Sequence, residues 1–98
     1  MPITIVIVED LDEVREGLGN FLSLDTDLSL TGAYKTADEA AQGIITLKPD
    51  VVIMDINLPG TNGIDCIRQI RSLVPATQFM MFTVYADDEK VVEALQAG

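Results

Sequence analysis

The chain has 98 residues, 48% of them apolar, which suffices for one small core and a single domain spanning residues 1–98. Sixteen acidic residues against six basic ones give a formal charge of -10, which repels a phosphate backbone and argues against direct DNA or RNA binding. Histidine is absent and Cys66 is the single cysteine, which excludes the usual imidazole base, most zinc sites and an intrachain disulfide, so any chemistry must run on carboxylates.

Short β-branched runs alternate with amphipathic stretches, the pattern of βα units around a parallel sheet. Ile3 to Val8 is apolar except for Thr4 and too short for a helix, so it predicts a central strand. From Asp12 to Leu24 the apolar positions Val14, Leu18, Phe21 and Leu22 recur at helical spacing, and Leu11 extends the stripe by one turn. Leu28 to Tyr34 predicts a second, less apolar strand that belongs at an edge. Thr36 followed by Glu39 reads as a capping box for a helix with Ala37, Ala40, Ala41, Ile44 and Leu47 on its buried stripe, closed by Pro49.

Val51 to Met54 is the third strand, its continuous apolar character implying burial on both faces. The turn formers from Asn57 to Gly63 lead into a helix carrying Ile64, Ile67, Ile70 and Val74, ended by Pro75. Phe79 to Val84 is a fourth strand, and a last helix starts at Asp87 with Val91, Val92 and Leu95 facing inward. No apolar run approaches the ~18 residues that span a bilayer, and no signal peptide opens the chain, so a soluble cytoplasmic protein without membrane contact is expected. Cys66 reads as a small core residue, since no basic neighbour or helix start is placed to activate it.

Chemistry-bearing residues fall at the carboxyl ends of predicted strands: Glu9 and Asp10 after the first, Asp55 after the third, Thr83 near the end of the fourth. Open parallel sheets bind ligands outside those ends, where the strand order reverses. A strand order of 2-1-3-4 would bring Glu9, Asp10 and Asp55 together across such a crevice. Carboxylates about 5 Å apart repel by ~3 kcal/mol per pair at an effective dielectric of 20, and a hard divalent cation such as Mg2+ removes the conflict while leaving positions open for a phosphate group.

Glu9-Asp10 after a first strand, then Asp55, then Leu58-Pro59-Gly60 with Asn62-Gly63, then Thr83 resembles the response-regulator receiver domains of two-component signalling over the whole chain. The resemblance implies an α/β, flavodoxin-like open parallel sheet of order 2-1-3-4. It implies Asp55 as the phosphorylated residue, Mg2+ held by Glu9, Asp10, Asp55 and the backbone carbonyl of Asn57, and Thr83 hydrogen-bonded to a phosphoryl oxygen. Asn57 and Tyr85 occupy the positions that tune loss of the phosphoryl group in that family. The implied partner is a sensor histidine kinase, and the implied output is transcriptional, through a DNA-binding domain outside this sequence.

The family's fifth-strand lysine and switching aromatic have no counterpart here. Lys35, Lys48 and Lys90 fall elsewhere and read as solvated surface residues, so the chain is expected to lack a fifth strand and helix. The fourth strand would then form an open apolar edge, and Leu18, Phe21 and Leu22 would lose cover, which predicts self-association through that strand. Two other readings stay open: a phosphorylation-independent interaction module, and an acidic Mg2+-dependent nuclease-type fold, the latter opposed by Asn57 where a second Asp is needed.

Overall fold

A computed structural model of the chain describes residues 2–55, 58 and 63–82. Four parallel strands, β1 (Ile3–Val8), β2 (Leu28–Tyr34), β3 (Val51–Asp55) and β4 (Gln78–Phe82), form one sheet in the order β2-β1-β3-β4. Helices α1 (Asp12–Leu22), α2 (Ala37–Leu47) and α3 (Gly63–Ile70) make the crossovers that parallel neighbours require. The flavodoxin-like order implied by the sequence is present, with the reversal between β1 and β3.

Period-two alternation sorts the central strands between two faces. Val6, Val8, Val52 and Met54 join Ala37, Ala40 and Ile44 of α2 and Cys66, Ile67 and Ile70 of α3 in one buried cluster. Ile5 and Ile7 point the other way and are buried as well, on the side where α1 meets β1 and β2. This double cover explains why β1 is apolar at nearly every position. β2 lies at the edge, as its mixed composition predicts, and β4 is the outer strand at the other side among the described residues, with Met80 57% exposed.

Register is locked at the amino ends of the strands. The Thr4 N–H donates to Asp50 Oδ2 at 2.9 Å, the Thr4 hydroxyl to the same oxygen at 3.2 Å, and the Asp50 N–H returns a bond to Thr4 Oγ1 at 2.9 Å. With Ile5 opposite Val51, the pairing runs up to Val8 opposite Met54. A slip of one residue would turn every β1 side chain to the wrong face, so this clasp also fixes which residues meet at the carboxyl ends.

Helix ends differ from the sequence reading in two places. α1 stops at Leu22 instead of Leu24, because the Ser23 hydroxyl donates to the Asn20 carbonyl at 2.7 Å and competes with the helical ladder. α3 gives way at Arg71 to a 3-10 turn through Leu73, tightened ahead of Pro75, which keeps Val74 out of helical geometry at ψ 65. The Thr36 cap is formed, its Oγ1 accepting from the Glu39 N–H at 3.2 Å. Leu47, expected on the buried stripe of α2, is instead 44% exposed on the last turn. The Thr83–Val84 end of the fourth strand and the helix expected from Asp87 lie outside the described residues.

Two local features carry predictions. Lys48 closes α2 in the left-handed region at φ 46, where an L side chain is strained. Lys48→Gly is expected to stabilise the fold by about 0.5–1 kcal/mol, seen as a melting point several degrees higher, because glycine adopts that conformation without the side-chain clash. Gly43 lies under the Tyr34 ring, and a Cβ there would overlap the Tyr34 hydroxyl. Gly43→Ala should therefore cost roughly 1–3 kcal/mol in a urea melt, despite alanine's better helix propensity.

Candidate acidic metal and phosphoacceptor site

Glu9 is the first residue beyond β1 and Asp55 the last of β3. Because Val8 pairs with Met54, the two acids emerge side by side where the strand order reverses. Glu9, Asp10 and Asp55 each offer a carboxylate oxygen, and these oxygens all lie within 4.8 Å of one another. Glu9 is fully buried and Asp55 is 3% exposed, while Asp10 is half-buried.

Glu9 is unequally satisfied. Its Oε1 accepts the Leu11 N–H at 2.9 Å, whereas the buried Oε2 has no hydrogen-bond partner among the described residues. Burial pushes the Glu9 carboxyl from the ordinary 4.5 up to about 7; the Leu11 N–H pulls it down, and the Asp55 and Asp10 carboxylates raise it further. A buried oxygen without a donor, among three carboxylates, is the donor set of a hard cation. Magnesium fits it, being bound through one to three carboxylate oxygens with water or phosphate at its other positions.

The loop carrying these acids is tied down by contacts that patterning did not reveal. The Glu9 N–H donates to the Tyr34 carbonyl at 3.0 Å, and Arg15 Nη1 donates to the Glu9 carbonyl at 3.1 Å. Arg15 Nη2 also pairs with Asp12, whose carboxylate lies 3.4 Å from Lys35 Nζ. Arg15 and then Lys35 hold the Asp12 carboxyl below the usual aspartate range. Lys35 is exposed, as its place after an edge strand suggested, yet it is paired. A sequence signal for Arg15 existed in its i,i+3 spacing from Asp12, but nothing local discloses that its fork turns back to the Glu9 carbonyl.

Asn57, Thr83 and Tyr85 lie outside the described residues, as does Lys90. Cys66 is buried, its thiol facing the Ala37 carbonyl at 3.8 Å, and burial pushes that thiol up to about 11, which agrees with an unreactive core residue. No helix among the described residues is long and apolar enough to cross a membrane.

The architecture is that of an open parallel α/β domain with three acidic residues gathered at its switch point, where such sheets bind ligands. The response regulator receiver domain profile matches residues 5–98, and the chain belongs to that family. It is 36% identical over 96 residues to the transcriptional regulatory protein LnrK of Bacillus subtilis, covering 98% of this chain and 44% of LnrK. It is 32% identical over 96 residues to the DNA-binding transcriptional activator DevR/DosR of Mycobacterium tuberculosis, again covering 98% and 44%. The chain thus spans just under half the length of such curated relatives. Among solved structures, the signal receiver domain of the response regulator NarL of Mycobacterium tuberculosis superposes with a TM-score of 0.91 at 27% identity, covering 99% of this chain and 78% of that one. A LuxR-family response regulator of Aurantimonas superposes equally well, with a TM-score of 0.91 at 30% identity, covering 100% and 70%.

Proposed function

We propose that residues 1–98 act as one phosphoacceptor unit in which Asp55 takes a phosphoryl group from the phosphohistidine of a sensor kinase. The observation that carries this reading is the gathering of Glu9, Asp10 and Asp55 within 4.8 Å around a buried Glu9 oxygen that lacks a donor among the described residues. Glu9, Asp10 and Asp55 would hold magnesium, together with the Asn57 carbonyl. A cation held there would supply positive charge against which these carboxylates and the phosphoryl oxygens could approach one another.

A carboxylate nucleophile needs no general base. An Asp55 oxygen attacks phosphorus, the new P–O bond forms as the P–N bond breaks, and the leaving imidazole keeps the electron pair and takes up a proton. Catalysis of this kind rests on position and charge, which suits a site fixed by strand register. Thr83 would donate a hydrogen bond from its hydroxyl to an oxygen of the phosphoryl group on Asp55, and Asn57 and Tyr85 would set how fast water removes that group. The domain is a signalling switch and not an enzyme with turnover on a separate substrate. Its output is transcriptional, through a DNA-binding domain outside these residues, in keeping with the regulators it resembles, and its place is the cytoplasm.

Incubation with acetyl phosphate and MgCl2, followed by intact-mass measurement, tests the reading. A gain of roughly 80 Da that disappears with EDTA supports it. An unchanged mass would favour the phosphorylation-independent alternative. Membership of the receiver family already disfavours the nuclease-type fold.

A further inference from the structure

The β1–α1 loop has a structural problem of its own. It carries Glu9 and Asp10 toward Asp55, and carboxylates whose oxygens lie within 4.8 Å of one another push the loop outward when they are ionised with no cation between them. Something other than the acids must keep the loop in place.

The side chain of Arg15 is only 13% exposed, so its stem packs against the fold and its guanidinium is restricted. Nη1 reaches back six residues to the Glu9 carbonyl, while Nη2 holds Asp12 in the first turn of α1. The i,i+3 ion pair by itself is of a kind that contributes little. The bond to Glu9 is different, because it joins the helix to the loop. With the Glu9 N–H on the Tyr34 carbonyl, both backbone polar groups of Glu9 are engaged, and neither contact uses a carboxylate oxygen that a cation would need.

We propose that Arg15 is a positioning residue for the metal site, its guanidinium clamping the Glu9 carbonyl so that the Glu9–Asp10 loop keeps its ligand geometry before a cation arrives. This rests on the reading of the acidic cluster as a magnesium site. The clamp works in the metal-free state, where repulsion is unscreened, and so contributes to affinity by preorganisation. Outer contacts of this kind, which orient a ligand without touching the metal, commonly set much of a site's affinity.

The test is an NMR titration of the chain with MgCl2, following the amide of Leu11, whose N–H donates to Glu9 Oε1 and so reports on that carboxylate. Arg15→Met keeps the apolar stem and removes the fork. It should weaken magnesium binding roughly tenfold and speed metal-free hydrogen exchange at Leu11. Arg15→Lys, able to reach one acceptor, should fall between. Asp12→Ala, which leaves the Arg15 bond to Glu9 available, should stay within about twofold of the unaltered chain.

Binding by Arg15→Met within twofold of the unaltered chain would overturn the proposal. So would an equal loss in Asp12→Ala, which would make the ion pair the cause. Should Arg15→Met lose its amide dispersion, Arg15→Lys decides by the same comparison, an unchanged affinity there counting against the clamp. If magnesium leaves the Leu11 amide unmoved in the unaltered chain, the metal reading falls, and the clamp with it, an outcome distinct from failure of the variants alone.

Discussion

Asp55→Asn is expected to remove the roughly 80 Da mass gain that acetyl phosphate and magnesium should produce, while the far-ultraviolet spectrum and the melting transition should persist. The substitution exchanges a carboxylate for an amide of nearly the same shape, at a position that is 3% exposed at the end of β3. An amide cannot serve as the nucleophile, so the loss is complete and not partial. Removing one of three crowded acids also lowers repulsion, so stability without metal should rise slightly. A mass gain retained in Asp55→Asn would place the acceptor elsewhere, and peptide mapping would then locate it.

The second large effect is in pH dependence. The folded Glu9 carboxyl binds its proton up to about pH 7, whereas in the unfolded chain it releases it near 4.5. Within that window the folded state holds more protons than the unfolded one, so stability falls as pH rises. The contribution is fully present below 4.5, declines through the window and is lost above about 7. Each unit by which a pKa is raised is worth ~1.4 kcal/mol of pH-dependent stability, so the downward slope should be plain in a domain this small. Metal-free melts from pH 5.5 to 8 should show it, and Glu9→Gln should flatten the profile, since the amide oxygen can still accept the Leu11 N–H without carrying charge. Magnesium at pH 8 should restore stability to the unaltered chain but much less to Glu9→Gln. Asp10→Asn should raise the metal-free melting point by the equivalent of ~1 kcal/mol while weakening magnesium binding. A metal-free profile that rises with pH in the same window, or a destabilised Asp10→Asn, would contradict the crowded-acid account.

The sequence by itself determined the order of the four described strands and three α-helices and the chain positions of the acids, because these are local properties; it did not disclose the 3-10 turn at Arg71–Leu73. Apolar periodicity reports strand or helix within a few residues, and an acid directly after a buried β-branched run must sit at that strand's end. Ile3 to Val8 followed by Glu9-Asp10 is such a case, and Thr36 with Glu39 is another, since a cap is formed within one turn. The edge position of β2 was legible for the same reason, a strand covered on fewer sides needing fewer apolar residues.

Tertiary structure alone decided what depends on residues distant in the chain. Glu9 and Asp10 look equivalent in sequence, yet one is fully buried, with an oxygen that has no partner among the described residues, and the other half-exposed, because the β1–β3 register set by Thr4 and Asp50, 46 residues apart, carries Glu9 beneath its neighbours. The Arg15 fork, the Asp12–Lys35 pair and the Tyr34 ring over Gly43 likewise join separate elements, and Lys48 adopts φ 46 where the chain must leave α2 and enter β3. Periodicity carries no information about which side chains meet across a sheet. Burial, and with it the proton affinity of Glu9, is set by those meetings.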